Sequence, residues 1–238
     1  MPRAFITGIT GQDGQHLAEF LHGKGYQVFG MLKGQNNPRA QQIREEFPYV
    51  ELVPGDLADL PSLVSALEYA QPDEVYNLGA ISFVAISFGQ AELTSNITGL
   101  GVLRLLEAVR MVGGTQNNKI RFYQASSSER DWGYAGDYVR AMWMMLQQDQ
   151  PDDYVVATGE THSIEEYLTL AFAEAGLDDW RKYVRQDPKF FRPAEVDPPM
   201  GDPSKAREKL GWTPEVDFPG LVKMMVQHDL ALEASKTR

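Results

Sequence analysis

Two short stretches of this 238-residue chain carry residue types that can do chemistry. Ser127 and Glu129 stand two apart in a stretch that reads as extended, and residues so spaced point to the same side. A hydroxyl donor and a carboxylate would then face one bound ligand together, and the carboxylate could act as general base or acid once its site tunes its pKa. By composition alone a serine cluster before a glutamate caps a helix just as often. The second stretch is Gly8-Ile9-Thr10-Gly11-Gln12-Asp13-Gly14, with the spacing G-x-x-G-x-x-G, one residue wider in its first gap than the usual dinucleotide fingerprint. It lies between a strand-like run, Ala4 to Thr7, and a helix-like run, His16 to Leu21. In that context glycines let the backbone approach a pyrophosphate, whose charge sits on the open N–H groups and positive dipole end of the new helix.

The elements that must position these stretches alternate strand and helix, which predicts a parallel sheet covered on both faces. Strands are expected at Ala4–Thr7, Tyr26–Met31, Val50–Val53, Glu74–Leu78 and Ile120–Ala125. Helices are expected at Pro61–Ala70, with Asp59 near its cap, and at Asn96–Val112, with Leu100, Leu103, Leu106 and Val109 on one side. The unusual short stretches then fall at the carboxyl ends of strands, where doubly wound sheets bind ligands: Asp56-Leu57, Gly79-Ala80-Ile81-Ser82, and Ser126 to Glu129. After Glu129 the pattern becomes mixed and mostly helical. It comprises Asp137–Leu146, a short strand Val155–Thr158, Ser163–Ala175 opening on the capping box Ser163-Ile164-Glu165-Glu166, then Pro203–Leu210 and Pro219–Leu232. We expect an α/β, Rossmann-like doubly wound domain over 1–129. Residues 130–238 would form a small, mostly helical part that binds substrate and caps the ligand edge.

Composition bounds the function. The 43% apolar and 23% charged shares are those of an ordinary globular protein. There is no cysteine, which excludes a disulfide scaffold and a thiolate metal site, and the four histidines, His16, His22, His162 and His228, have no metal-ligand spacing. A net charge of −11 disfavours nucleic acid and anionic membranes as partners. Met1-Pro2-Arg3 leads directly into the first strand and no apolar run reaches membrane-spanning length, so a cytoplasmic location is expected.

The nucleotide is suggested by the end of the second strand. An acidic residue there would bind the adenosine ribose and favour NAD; the stretch Met31 to Arg39 instead offers Lys33 and Arg39, which favours NADP. Asp56 is placed to meet the adenine amino group, or else to bond its own turn. Gly79-Ala80 leaves room for the nicotinamide ribose, or for close packing of strand on helix.

Six blocks, GITGQDG (8–14), DEVYNLGA (73–80), RFYQASSSE (121–129), RDWGYAGDYV (130–139), FRPAEV (191–196) and GDPSKAREKLGW (201–212), resemble the GDP-mannose 4,6-dehydratase family of extended short-chain dehydrogenase/reductases. The resemblance runs in order over nearly the whole chain. It implies a lyase that converts GDP-mannose to GDP-4-keto-6-deoxymannose with bound NADP. Hydride leaves C4, the C5 proton and the C6 hydroxyl are lost as water, and the same hydride returns to C6. By the same resemblance Ser127 would bond the C4 oxygen and Glu129 would remove the C5 proton. Gly8, Thr10, Gly11, Gln12, Asp13, Gly14, Lys33, Asp56, Leu57, Leu78, Gly79, Ala80, Ser82 and Tyr123 would hold the cofactor, and Ser87, Arg192 and Glu195 the substrate, with no metal. A homodimer or homotetramer is also implied.

Two departures qualify the resemblance. Phe83 stands where the family commonly has histidine. The chain also passes directly from Glu129 to Arg130, where the family has a long segment that includes a Tyr-x-x-x-Lys pair; a smaller piece is missing near Trp180-Arg181. No Tyr-x-x-x-Lys occurs in the sequence. Such a gap arises from a segment disordered without ligand or from a deletion, and its place beside ligand loops favours the first. A chain truly lacking the pair would bind cofactor poorly and turn over negligibly. The alternatives are a related GDP-sugar reductase or epimerase, or a non-catalytic nucleotide-binding protein.

Overall fold

The computed structural model describes residues 1–34, 37–81, 89–113, 120–125, 132–185 and 200–236. They divide into two compact units, Met1–Ser127 with Met142–Asp152, and Ser128–Ala141 with Asp153–Arg238. The stretch 142–152, which follows the expected boundary at 129, thus belongs with the first unit.

Five parallel strands build the first unit: β1 (Arg3–Thr7), β2 (Gln27–Leu32), β3 (Val50–Pro54), β4 (Glu74–Asn77) and β5 (Arg121–Gln124), in the order β3-β2-β1-β4-β5. Strand β1 is central and pairs Phe5 with Phe29 on one side and with Val75 on the other. Its residues Ala4 to Thr7 are buried without alternation, as a strand covered on both faces requires. Side chains alternate across the sheet. Phe5, Phe29 and Val75 pack with Leu63 and Leu67 of α3 (Leu60–Ala70) and with Leu105, Ala108 and Val112 of α5 (Gly101–Gly113). Helix α1 (Gln12–Gly23) buries Leu17, Ala18 and Leu21. Asp59 caps α3 by accepting the Ser62 amide at 3.1 Å, and Pro61 occupies its first turn, where the missing N–H is harmless.

Three differences from the sequence reading have physical causes. Helix α2 (Arg39–Glu46) occupies a stretch to which the sequence reading gives no element; it buries only Ala40 and Ile43, too narrow a stripe to register as periodicity. Val155–Thr158 forms no strand, because no neighbouring strand offers this β-branched run a ladder among the described residues. The leucine row of the long helix faces outward: Leu100, Leu103 and Leu106 are 51%, 63% and 43% exposed, while Gly101, Leu105, Ala108 and Val112 are buried. Small residues on that buried side allow the closer approach, so the face that packs is the less bulky one.

In the second unit, Trp212 is fully buried and donates from Nε1 to the Asp137 carbonyl at 2.9 Å. The Asp137 carboxylate, 3% exposed, pairs with Arg140 at 3.2 Å and accepts the Val216 amide at 3.1 Å, so its charge is compensated. These bonds join α6 (Ala135–Leu146) to the segment after α8 (Ser204–Leu210). Helix α7 (Ile164–Glu174) begins with the expected capping box: the Glu166 amide donates to Ser163 Oγ at 3.1 Å, and the Ser163 amide donates to the Glu166 carboxylate at 2.6 Å, which holds that carboxyl below its ordinary value. Helix α9 (Phe218–Lys236) closes the unit against α7.

Candidate functional site

The glycine turn sits between β1 and α1 at the carboxyl edge of the sheet. Gly8 is left-handed at φ +75°, and a Cβ there would stand 2.8 Å from the Leu78 carbonyl carbon. The Gly11 amide closes the turn on the Gly8 carbonyl at 2.9 Å. A Cβ on Gly14 would meet that same Gly8 oxygen at 2.4 Å, so the third glycine lets α1 start directly against the turn. Gly11 is the N-cap of α1 in extended conformation, and no side chain caps the first turn. The opening amides are therefore directed at whatever anion stands before the helix. Bare cradle and uncapped helix end both suit a dinucleotide pyrophosphate.

Polar residues end the strands beside this turn. Thr7, Asn77 and Gln124 lie in register across β1, β4 and β5. Thr7 Oγ1 donates to Asn77 Oδ1 at 2.5 Å, and Asn77 Nδ2 donates to Gln124 Oε1 at 2.7 Å. Thr7 Oγ1 also accepts the Gly79 amide at 2.9 Å, which fixes the loop after β4. Sequence reasoning missed this ladder. Its signal was a polar residue closing each of three neighbouring strands.

After β2 and β3, Lys33 Nζ lies 3.1 Å from Asp56 Oδ2, while Asp56 Oδ1 accepts the Ala58 amide at 2.9 Å. Asp56 thus performs the turn role as well as standing at the edge. Leu57 is 5% exposed and belongs to the core, so only its main chain is available to a ligand. Arg39 Nη1 donates to the Thr10 carbonyl at 3.1 Å, which sets a guanidinium at the lip of the glycine turn. Partial burial raises the Asp13 carboxyl, an effect His16 offsets in part. The Tyr123 phenol is pushed up to about 12, by burial first and by the Asp13 charge second. Gln12 opens α1, and Ala80 is exposed on the loop after β4.

The structure thus brings Gly8, Thr10, Gly11, Gln12, Asp13, Gly14, Lys33, Asp56, Leu57, Leu78, Gly79, Ala80 and Tyr123 into one unit along the sheet's carboxyl edge. Ser82, Phe83, Ser87, Ser127, Glu129, Arg192 and Glu195 lie outside the described residues. Among the described residues no cluster could hold a metal, and no helix is long and apolar enough to cross a membrane.

A family model for GDP-mannose 4,6 dehydratase matches residues 5–130 and 129–225. The chain belongs to that family. It is 38% identical to GDP-mannose 4,6 dehydratase 2 of Arabidopsis thaliana, covering 96% of this chain and 87% of the relative. It is 34% identical to the GDP-mannose 4,6-dehydratase of Yersinia enterocolitica, covering 97% and 94%. The human GDP-mannose 4,6 dehydratase is 32% identical, covering 96% and 91%. Among solved structures, the UDP-glucose-4-epimerase of Stenotrophomonas maltophila with bound NAD superposes with a TM-score of 0.78 at 14% identity, covering 99% of this chain and all of that one. The UDP-glucose 4-epimerase of Thermus thermophilus gives 0.74 at 20% identity, covering 95% and 98%. At such identities the likeness concerns the fold.

The same alignments locate the missing piece. The two stretches matched by the family model meet at Glu129 and Arg130. The Arabidopsis alignment spans 325 positions against the 238 residues of the whole chain, so at least 87 positions have no residue here. The full sequence passes from Glu129 to Arg130 without a break. The join between Glu129 and Arg130 is thus where the chain departs from its relatives.

Proposed function

We propose that this member of the GDP-mannose 4,6-dehydratase family binds NADP along the carboxyl edge of its sheet and takes GDP-mannose as its sugar nucleotide, with 4,6-dehydration as the reaction of the site. The observation that carries this reading is the match to GDP-mannose 4,6-dehydratases over 96% of the chain, together with a glycine turn built to the limit of backbone contact. NADP is favoured over NAD because Lys33 and Arg39, and no carboxylate, follow β2. When bound, the nicotinamide supplies a hydride acceptor and gives the hydride back. Ser127 hydrogen-bonds the C4 oxygen, whose proton passes to solvent as the hydride leaves; Glu129 takes the C5 proton made acidic by the C4 ketone and gives it to the departing C6 hydroxyl as water; and the Arg192 guanidinium holds diphosphate oxygens. Glu195 reaches the ribose or base. We place the protein in the cytoplasm as a homodimer or homotetramer.

A second reading, a nucleotide-binding relative without turnover, is favoured by one specific feature. The chain has no Tyr-x-x-x-Lys, and Tyr123, the tyrosine of the cofactor edge, is pushed up to about 12. A phenol that must accept the C4 hydroxyl proton needs the opposite shift. Incubation with GDP-mannose and NADP, followed by mass spectrometry of the nucleotide sugar, separates the two. Loss of one water supports the dehydratase. An unchanged sugar with NADP bound in titration supports the binding protein, and failure to bind NADP overturns both.

A further inference from the structure

Behind the cofactor edge, the helical segment that begins with α4 (Ala91–Thr94) does not continue as an ordinary helix. Residues Ser95–Leu100 form a π-helical turn before α5 resumes at Gly101. Wide turns of this kind are rare and often lie at functional sites. This one carries partners for two loops. Thr98 Oγ1 accepts the Ile81 amide at 3.1 Å, in the loop after β4. Arg104, one turn further on, donates from Nη1 to the Leu57 carbonyl at 3.2 Å, in the loop after β3. Its remaining bonds return to the π turn: Nη1 to the Asn96 carbonyl at 3.1 Å and Nη2 to Asn96 Oδ1 at 2.8 Å. Gly101 brings the helix in close, since a Cβ there would stand 3.0 Å from Leu57 Cβ.

Among the described residues no carboxylate pairs with the Arg104 guanidinium; its planar fork is held on main-chain and amide oxygens, which fixes geometry rather than balancing charge. We infer that the π turn with Arg104 and Thr98 is a clamp that positions the two cofactor loops, Arg104 setting the adenine side through Leu57 and Thr98 the nicotinamide-ribose side through Ile81. Both are positioning residues, since each acts through a loop. The inference rests on the cofactor reading above for its ligand, but the contacts themselves do not.

The test is calorimetric titration of the whole chain with two probes, NADP and adenosine 2′,5′-bisphosphate, which carries only the adenine end. Arg104→Ala is expected to weaken both probes by about tenfold, equivalent to about 1.4 kcal/mol. Arg104→Lys keeps the charge but cannot span Leu57 and Asn96 together, and should restore little. Thr98→Val is expected to weaken NADP by at least threefold and leave the bisphosphate unchanged, a split that general destabilisation would not produce. Unaltered binding in Arg104→Ala, or equal loss of both probes in Thr98→Val, overturns the clamp. If the parent chain binds neither probe, the cofactor reading fails. Amide hydrogen exchange then decides the clamp: faster exchange at Ala58 in the Arg104 variants and at Ile81 in Thr98→Val supports it, and unchanged exchange overturns it.

Discussion

Arg39 donates from Nη1 to the carbonyl of Thr10 at 3.1 Å, so a residue 29 positions away holds a cation at the mouth of the glycine turn. Lys33 stands nearby in the same unit, 3.1 Å from Asp56. A 2′-phosphate entering this edge would meet the free face of the guanidinium, and charge-assisted bonds of that kind contribute about 1.5–3 kcal/mol. Arg39→Ala is expected to lower affinity for NADP about tenfold or more and to leave NAD within about twofold. Fluorescence titration with both nucleotides checks this, and an unchanged NADP-to-NAD ratio would remove Arg39 from the phosphate site.

Gly14→Ala forces a methyl to within 2.4 Å of the Gly8 carbonyl oxygen and 2.8 Å of Ile9 Cα, both backbone atoms that cannot swing aside. The start of α1 must then move off the turn, with expected destabilisation of about 1–3 kcal/mol and loss of measurable NADP binding. Gly23→Ala is the matched control, because nothing lies within 4 Å of its Cβ position at the end of α1. It is expected to raise stability by about 0.5–1 kcal/mol and keep binding. Similar denaturation midpoints for the two variants would count against the cradle.

Glu74 is 4% exposed and is held by neutral donors: Tyr26 Oη at 3.2 Å, Tyr76 Oη at 2.8 Å and Gln147 Nε2 at 2.9 Å. Trp143 extends the network by donating to Tyr26 Oη at 3.1 Å. Glu74→Ala takes the acceptor from two phenols and the Gln147 amide, with an expected cost of about 2–4 kcal/mol in urea denaturation. Glu74→Gln keeps the shape and one acceptor, and should cost less than Ala. A loss below about 1 kcal/mol for the alanine variant would show that the network is not cooperative.

The phenols give the alkaline limb of stability. Tyr123 is raised from 10.0 to about 12, and burial beside Glu74 pushes Tyr76 up as well. Between those values the unfolded chain gives up protons that the folded chain retains, so unfolding binds fewer protons and stability falls as pH rises; below the unfolded value the contribution is intact. The expected loss through Tyr123 alone is on the order of 2 kcal/mol, and Tyr123→Phe should flatten that slope in thermal melts from pH 9.5 to about 12. An identical slope in the variant would place the titration elsewhere.

Much of this was legible in advance for a physical reason. The glycine turn, the strand runs, the Asp59 cap and the Ser163–Glu166 box depend on neighbours in sequence, and local chemistry determines them. The outward face of the leucine row was not legible: periodicity identifies a helix with an apolar side, yet Gly101 and Ala108 win the core by allowing closer approach. The Thr7–Asn77–Gln124 ladder and the Arg104 bonds join residues up to 70 positions apart, which no local pattern announces. Ser127 and Glu129 lie outside the described residues.

Residues 142–152 belong to the first unit, so that unit is built from two separate stretches of chain. The buried carboxylate of β4 finds its Gln147 partner only in a segment made after the chain has left that unit and come back. On the ribosome the sheet can form early, but it cannot seal until residue 152 has emerged. No single scission between the halves would release an N-terminal fragment that is whole.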